Sequence, residues 1–236
     1  MQPTKVSVIT VVYNGVAYIE KAIQSVLAQS YDNIEYIIID NQSTDGTLEI
    51  VEKYKDKITV ISESDNGIYH AMNKGIALVS GELIGILNSD DWYEPNAVKL
   101  IVDAYHENPS YDVFHGLLKC VDTGGNLTKV IGHHFGFLRK GMIEHPTCFL
   151  HRRVYDKLIF DTQYKAAGDY DFMLRVLEQG FTFFFLAQPI ASFRSGGIST
   201  SFIAAKETLA VQRKHNLISI FKKIILTNYF KVKLRH

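Results

Sequence analysis

The sequence predicts an α/β protein built on a doubly wound, mostly parallel sheet. Two observations carry that prediction. Short β-branched apolar runs alternate with segments of helical periodicity, joined by short links, which is the pattern of successive βαβ units. Each of those runs also stops abruptly at polar turn residues, as buried parallel strands do.

Val6–Val12 is the first such run, broken by Asn14-Gly15. Ile19, Ala22, Ile23, Val26 and Leu27 then recur at i, i+3, i+4, i+7 and i+8, the stripe of an amphipathic helix. Ile34–Ile39 reads as a second strand and ends at Asp40. Ser43 and Thr44 precede a helix carrying Leu48, Val51 and Tyr54. Ile58–Ile61 is a third strand, and Ile68, Met72, Ile76 and Val79 mark the next helix. Leu83–Leu87 is the fourth strand, with the segment around it reading LIGILNSDDWY.

Beyond Pro95, Val98, Ile101, Val102 and Tyr105 define another helix. The pattern then changes. Asp112–Val121 and Leu127–Ile131 flank a Thr123-Gly124-Gly125-Asn126 turn and read as a hairpin. Arg139–Leu150 shows no period. Asp169–Gln179 is helical with Gly180 as a stop, and Phe181–Leu186 is a strand. A flexible Ser195-Gly196-Gly197 loop follows, then helical segments over Phe202–His215 and Leu217–Phe230. The expected organisation is one domain over 1–200, whose pattern changes beyond residue 95, with a helical appendage over 201–236.

Lys plus Arg balance Asp plus Glu at 25 each, so no global field points to a nucleic-acid partner. Beyond Glu207, however, basic residues occur without a single acid. Ile218, Phe221, Ile225 and Leu226 there can share a helical face, while Lys222, Lys223, Lys231, Lys233 and Arg235 supply positive charge. Such a segment over 217–235 can lie on an anionic membrane surface; packing on the domain or a dimer contact is the alternative. Cys120 and Cys148 form no framework and lack metal-ligand spacing. No signal-peptide architecture opens the chain and no apolar run is long enough to span a bilayer. The expected location is cytoplasmic, or peripheral on the cytoplasmic face of a membrane.

In a parallel sheet the ends of the four strands share one edge, where α/β proteins bind ligands. Here that edge carries Tyr13-Asn14, Asp40, Asp65 and the pair Asp90/Asp91. Adjacent buried carboxylates repel and want a cation, and hard oxygen ligands suit Mg²⁺ or Mn²⁺ shared with substrate phosphates. Capping of the helix near Pro95 is the other reading of that pair. No GxGxxG follows the first strand and no GxxxxGK[ST] occurs, so a dinucleotide site and a P-loop are disfavoured. Nor is there a G-x-S-x-G elbow.

Several segments together are similar to the family 2 glycosyltransferases of the GT-A fold. They are VSVITVVYNG (6–15), IIIDNQSTDGT (37–47), SDNGIYHAMNKGI (64–76), LNSDDWY (87–93), HPTCFLHRRVY (145–155), AGDYDFMLRV (167–176) and FRSGGIS (193–199). The resemblance spans most of the chain and is nearest to bacterial enzymes of O-antigen, capsule or exopolysaccharide assembly. It implies inverting transfer of a sugar from a UDP-, GDP- or dTDP-sugar to a glycan or polyprenyl-diphosphate-linked acceptor, with Mg²⁺ or Mn²⁺ as cofactor. It places Thr10, Tyr13, Asn14, Asp40, Asp65, Ser89 and Asp90 around the donor nucleotide, and Asp90 and Asp91 at the metal. Asn88 stands first in this chain's version of the family's DxD triplet. Asp169 maps to the catalytic base, although Gly168 precedes it where family members often carry Glu. His145, Asp171 and Arg194 fall on the acceptor or diphosphate side, with a core-satisfied His145 as the alternative. A sugar-1-phosphate nucleotidyltransferase would need a Gly-rich, basic loop where this chain reads Tyr13-Asn14-Gly15-Val16-Ala17. A non-catalytic nucleotide-sugar or glycan-binding module would not need Asp90, Asp91 and Asp169.

Overall fold

The computed structural model describes residues 3–197, 199 and 201–233. Nine strands form one sheet. β1 (Val6–Val12), β2 (Ile34–Asp40), β3 (Thr59–Ser62) and β4 (Leu83–Asn88) are its parallel half, in the order β3-β2-β1-β4. The link to the other half is β8 (Phe149–His151), which pairs antiparallel with β4 and with β6 (Val113–Val121). β9 (Phe183–Arg194) lies parallel to β6, and β5 (Trp92–Tyr93) closes the edge against β9. β7 (Leu127–Ile131) forms the expected hairpin with β6.

Alternation along the strands loads both faces of this sheet. Ile9, Val11, Ile37, Ile39, Ile84 and Ile86 face one core, together with Met72 of α3 (Ile68–Leu78) and Met173 of α6 (Gly168–Glu178). Val8, Val12, Ile38 and Leu87 face the other, covered by α1 (Ile19–Leu27), α2 (Thr47–Glu52) and α4 (Ala97–Glu107). α5 (Arg152–Tyr155) is a single turn after β8. α3 packs so closely on β1 that a Cβ at Gly75 would stand 2.5 Å from Ile9 Cγ2.

Three strands differ from the sequence expectation, β9 among them: it runs past the expected end at Leu186 to Arg194, held by its pairing with β6 and β5. β8 lies in the stretch that showed no period, because three residues are too few to display alternation. β5 occupies Trp92–Tyr93, so the chain leaves Asp90/Asp91 into the sheet, and α4 starts only at Ala97 with Asn96 at its cap. Capping of that helix by Asp90 or Asp91 is therefore not observed.

α7 (Phe202–Lys214) and α8 (Ile220–Lys233) complete the described chain. Val211 of α7 is fully buried in the same core as α3 and α6, so α7 is packed into the domain. Arg235 lies outside the described residues. No helix among those described is long and apolar enough to cross a membrane.

Candidate active site

Register places the strand ends together: Val12 is opposite Asp40, Val11 opposite Asn88, and Asp40 opposite Ser62. The loops above them are stitched to one another. Asn14 donates its N–H to Ser43 Oγ at 2.8 Å and accepts from the Thr44 N–H at 2.9 Å. Over this edge opens a cleft of about 590 Å³, lined by Tyr13, Asn14, Tyr18, Asn41, Asp65, Ser89 and Asp90, among others.

Asp40 sits at the floor of this edge, fully buried. Its Oδ2 accepts from the Ser43 N–H at 3.1 Å and the Ser62 hydroxyl at 2.7 Å. Its Oδ1 has no partner. A buried, unpaired carboxylate oxygen is costly and fits an N–H or O–H donor supplied by a ligand. Tyr13 is 63% exposed and offers a free aromatic face at the cleft wall. Asp65 accepts from the Gly67 N–H at 2.8 Å, and Asn41 holds the Asp65 N–H at 2.7 Å. Thr10 is different: it is fully buried, and its hydroxyl bonds Tyr36 Oη at 3.0 Å. It stands two positions before the end of β1 at Val12 and does not line the cleft.

Asp90 and Asp91 separate in role. Asp90 lines the cleft, and burial raises its pKa, opposed by its own backbone N–H and by Arg194. Asp91 is only 1% exposed and points away, accepting the Arg194 N–H at 3.2 Å and Asn88 Nδ2 at 3.5 Å. Burial, and then the neighbouring Asp90, push the Asp91 carboxyl well above the usual carboxylate range. In the structure Asp91 fastens the end of β9, and Asn88, whose buried Oδ1 is unpaired, stands with Asp90 in the cleft lining. Arg194 lays its guanidinium 4.4 Å from the Tyr18 ring centre and bonds the Thr123 carbonyl. It leaves Nε buried and unpaired.

A second cavity of about 400 Å³ lies beside the first and shares Phe193 and Ser199 with it. Glu144, His145 and Asp169 line it. Asp169 stands in the first turn of α6, and its Oδ1 accepts from Tyr69 Oη at 3.2 Å and from the Tyr170 N–H at 2.9 Å. Burial lowers the His145 pKa, partly offset by Asp169, so the imidazole is neutral at pH 7. Glu144 is buried and bonds the His133 backbone and ring.

Asp171 is corrected as a site residue. It is fully buried on another face of α6, bound to Arg175 at 2.9 Å, Lys214 at 2.8 Å and His215 at 3.0 Å. Burial opposes, but these partners outweigh it and hold its carboxyl below the usual range. Gly168 also finds its reason here. A Cβ at this position would come within 2.7 Å of the Tyr69 ring, so a side chain at position 168 has no room beside Tyr69.

Sequence reasoning missed Tyr18, Asn41, Glu144 and Phe193 as lining residues. Three of them adjoin quoted segments or fall within them; Tyr18 precedes α1 with no local signal. Among the described residues no three His, Cys, Asp or Glu side chains converge as a metal site. Asp90 with the Asn88 carbonyl oxygen still fits a cation completed by substrate phosphates, the usual way Mg²⁺ is held.

Comparison with known proteins agrees with this layout. An uncharacterized glycosyltransferase of Nostoc sp. is 36% identical over 117 residues, covering 48% of this chain and 36% of that protein. Chondroitin synthase of Escherichia coli is 29% identical over 184 residues, covering 74% of this chain and 27% of the synthase. The chain thus spans about a third of the length of these curated relatives. Among solved structures, S. aureus TarS with UDP-GlcNAc superposes with TM-score 0.75 at 21% identity, covering 96% of this chain and 71% of that one. The mannosyltransferase PcManGT of Pyrobaculum calidifontis, solved with GDP-Man and Mn²⁺, gives 0.69 at 18% identity, covering 93% and 66%. These likenesses show the GT-A fold, and the glycosyl transferase family 2 model matches residues 7–170: the chain belongs to that family of glycosyltransferases.

Proposed function

We propose that the chain transfers a sugar, with inversion, from a nucleoside-diphosphate sugar to a hydroxyl of a glycan or polyprenyl-diphosphate-linked acceptor, in assembly of a surface polysaccharide. One observation carries the reading. Two cavities meet at Phe193 and Ser199, with Asp90 lining one and Asp169 the other. Displacement at an anomeric carbon needs the incoming hydroxyl and the departing diphosphate on opposite faces of the sugar, and adjoining cavities supply two faces.

The donor lies in the larger cleft, with its base against Tyr13 and Asp65 and a base N–H directed at Asp40 Oδ1. Arg194 lies beside the diphosphate. Asp90 and Asn88 would hold Mg²⁺ or Mn²⁺, which stabilises charge on the departing diphosphate as a Lewis acid. In the second cavity the acceptor hydroxyl attacks the anomeric carbon. Its proton passes to Asp169, and the electron pair of the breaking C–O bond leaves with the nucleoside diphosphate. His145, neutral, offers a hydrogen bond to the acceptor.

α8 exposes Phe221 at 75% and Ile225 at 67%, with Lys222, Lys223, Lys231 and Lys233 on the same helix. This face supports contact with an anionic membrane, which would bring a lipid-carried acceptor to the second cavity. Binding of a panel of nucleotide-sugars with and without Mn²⁺, followed by transfer to lipid-linked glycans, tests the reading. Absence of binding by every nucleoside diphosphate sugar would reject it.

A further inference from the structure

α7 reaches back to the turn that carries Asp169. The Glu207 carboxylate accepts the backbone N–H of Lys165 at 3.0 Å, of Ala166 at 2.8 Å and of Ala167 at 3.1 Å. Ala167 is the residue before α6 and has no side chain able to cap it. These three N–H groups lie just ahead of α6, at the positive end of its dipole, where negative charge is favoured. Here the anion comes from 40 residues further along the chain.

The contact belongs to one continuous face of α7. Glu207, Val211, Lys214 and His215 recur at i, i+4, i+7 and i+8, spacing that puts them in one row. Val211 is fully buried between the polar contacts. Lys214 and His215 grip Asp171 inside α6. α7 therefore fastens α6 at two places, ahead of Asp169 and behind it. Ala204 and Thr208, on the same helix, also line the cavity into which Asp169 projects.

We infer that Glu207 is a positioning residue for Asp169: it fixes the backbone at 165–167 and so sets the direction in which the base carboxylate enters the acceptor cavity. Asp169 follows Gly168, which contributes no side chain of its own to hold the turn. Without the Glu207 anchor, three adjacent N–H groups lose their acceptor and the turn relaxes. A base misplaced by about 1 Å costs on the order of 100-fold in rate. The inference rests on the assignment of Asp169 as base.

The test compares Glu207→Ala, Glu207→Gln, Lys214→Met and Asp169→Asn in the full chain. For each, kcat, acceptor KM, donor Kd and melting temperature are measured. Glu207→Ala should lower kcat roughly 10- to 100-fold with donor Kd and acceptor KM nearly unchanged. Glu207→Gln, which retains one acceptor oxygen, should fall between it and wild type. Lys214→Met loosens the same helix at its other end and should lower the melting temperature while largely keeping kcat. If Glu207→Ala keeps wild-type kcat while Asp169→Asn is inactive, the inference is overturned and the base stands. If Glu207→Ala and Lys214→Met lose kcat in the same proportion to their loss of melting temperature, Glu207 is scaffold only and the inference is again overturned. If Asp169→Asn is active, the base assignment fails and takes the inference with it.

Discussion

Tyr69 Oη donates to Asp169 Oδ1 at 3.2 Å, joining the first turn of α3 to the first turn of α6 across 100 residues of sequence. The Tyr69 ring lies where a side chain at position 168 would go. Burial and the Asp169 carboxylate raise the Tyr69 pKa beyond any working pH, so the phenol stays a donor. Its bond steadies one oxygen of Asp169 and leaves the other for an incoming proton.

Asp169→Asn should lower turnover by about two to four orders of magnitude, since general-base catalysis is worth that much. Donor affinity should hardly change, because a base acts only in the transition state. Steady-state kinetics with titration calorimetry of the donor checks both halves. Near-normal transfer by the Asn variant would remove Asp169 as the base.

Gly168→Ala should lower turnover without touching donor affinity, because the added Cβ meets the Tyr69 ring at 2.7 Å and displaces its bond to Asp169. Pairing it with Tyr69→Ala, which vacates that space, should recover part of the melting temperature lost by Gly168→Ala. Additive losses in the double variant would show that ring and Cβ do not compete.

Asp90→Asn should abolish the metal-dependent part of donor binding and spare the fold. Asp91→Asn should mainly loosen the end of β9, because Asp91 holds the Arg194 N–H. Donor titrations with Mn²⁺ and with a chelator separate the two. Equal loss of metal dependence in both variants would return Asp91 to the cleft.

Glu35 gives a pH signature at the opposite edge of the sheet. Burial works against its charge, but bonds from Lys5, Ser7 and Ser80 prevail and hold its carboxyl at about 2. An unfolded glutamate titrates near ~4.3, so the folded pKa is depressed. The stability it contributes is full above about 4.3 and is lost as pH falls towards 2. Glu35→Gln should therefore cost roughly 2 kcal/mol at pH 7, after allowing for the half-exposed Lys5. Urea unfolding should show the difference shrinking as pH is lowered from 5 to about 3. A gap of constant size would contradict the cause given.

The 236-residue chain should pellet with anionic vesicles and a 1–215 version should not, with binding weakened by salt. The truncation keeps α7 and its ion pairs with Asp171 but removes Leu217 and α8, so its melting curve is recorded beside that of the full chain. Equal partition of both would reject the membrane contact.

The parallel half was legible because β1, β2 and β4 are buried on both faces and its helices on one. Val6–Val12 and Ile34–Asp40 therefore read directly as strands. β5 and β8 were not legible, since strands of two and three residues owe their existence to partners far along the chain. The same division holds for the site. Residue type and strand-end position suggested Asp40, Asp65, Asp90 and Asp169. Helical direction already distinguished Asp169 from Asp171 in the sequence, since residues two apart on a helix point apart; the contacts of Asp91 with β9 and of Asp171 with the α7 end are long-range and no local pattern encodes them. Thr10 lies too deep in β1 to reach the cleft, which Val11 and Val12 at the strand end line, and its hydroxyl is held by Tyr36.

β8 has a mechanical consequence. Its three residues bond β4 on one side and β6 on the other, so the floor beneath the two cavities is an unbroken lattice of peptide hydrogen bonds. The two halves have no linker about which to swing. Substrates of different size must then be accommodated from above, around Ser195–Gly197, since α7 is itself fastened to α6. Changes in acceptor length should register as movements of that cover, with the distance between Asp90 and Asp169 held nearly constant through the reaction cycle.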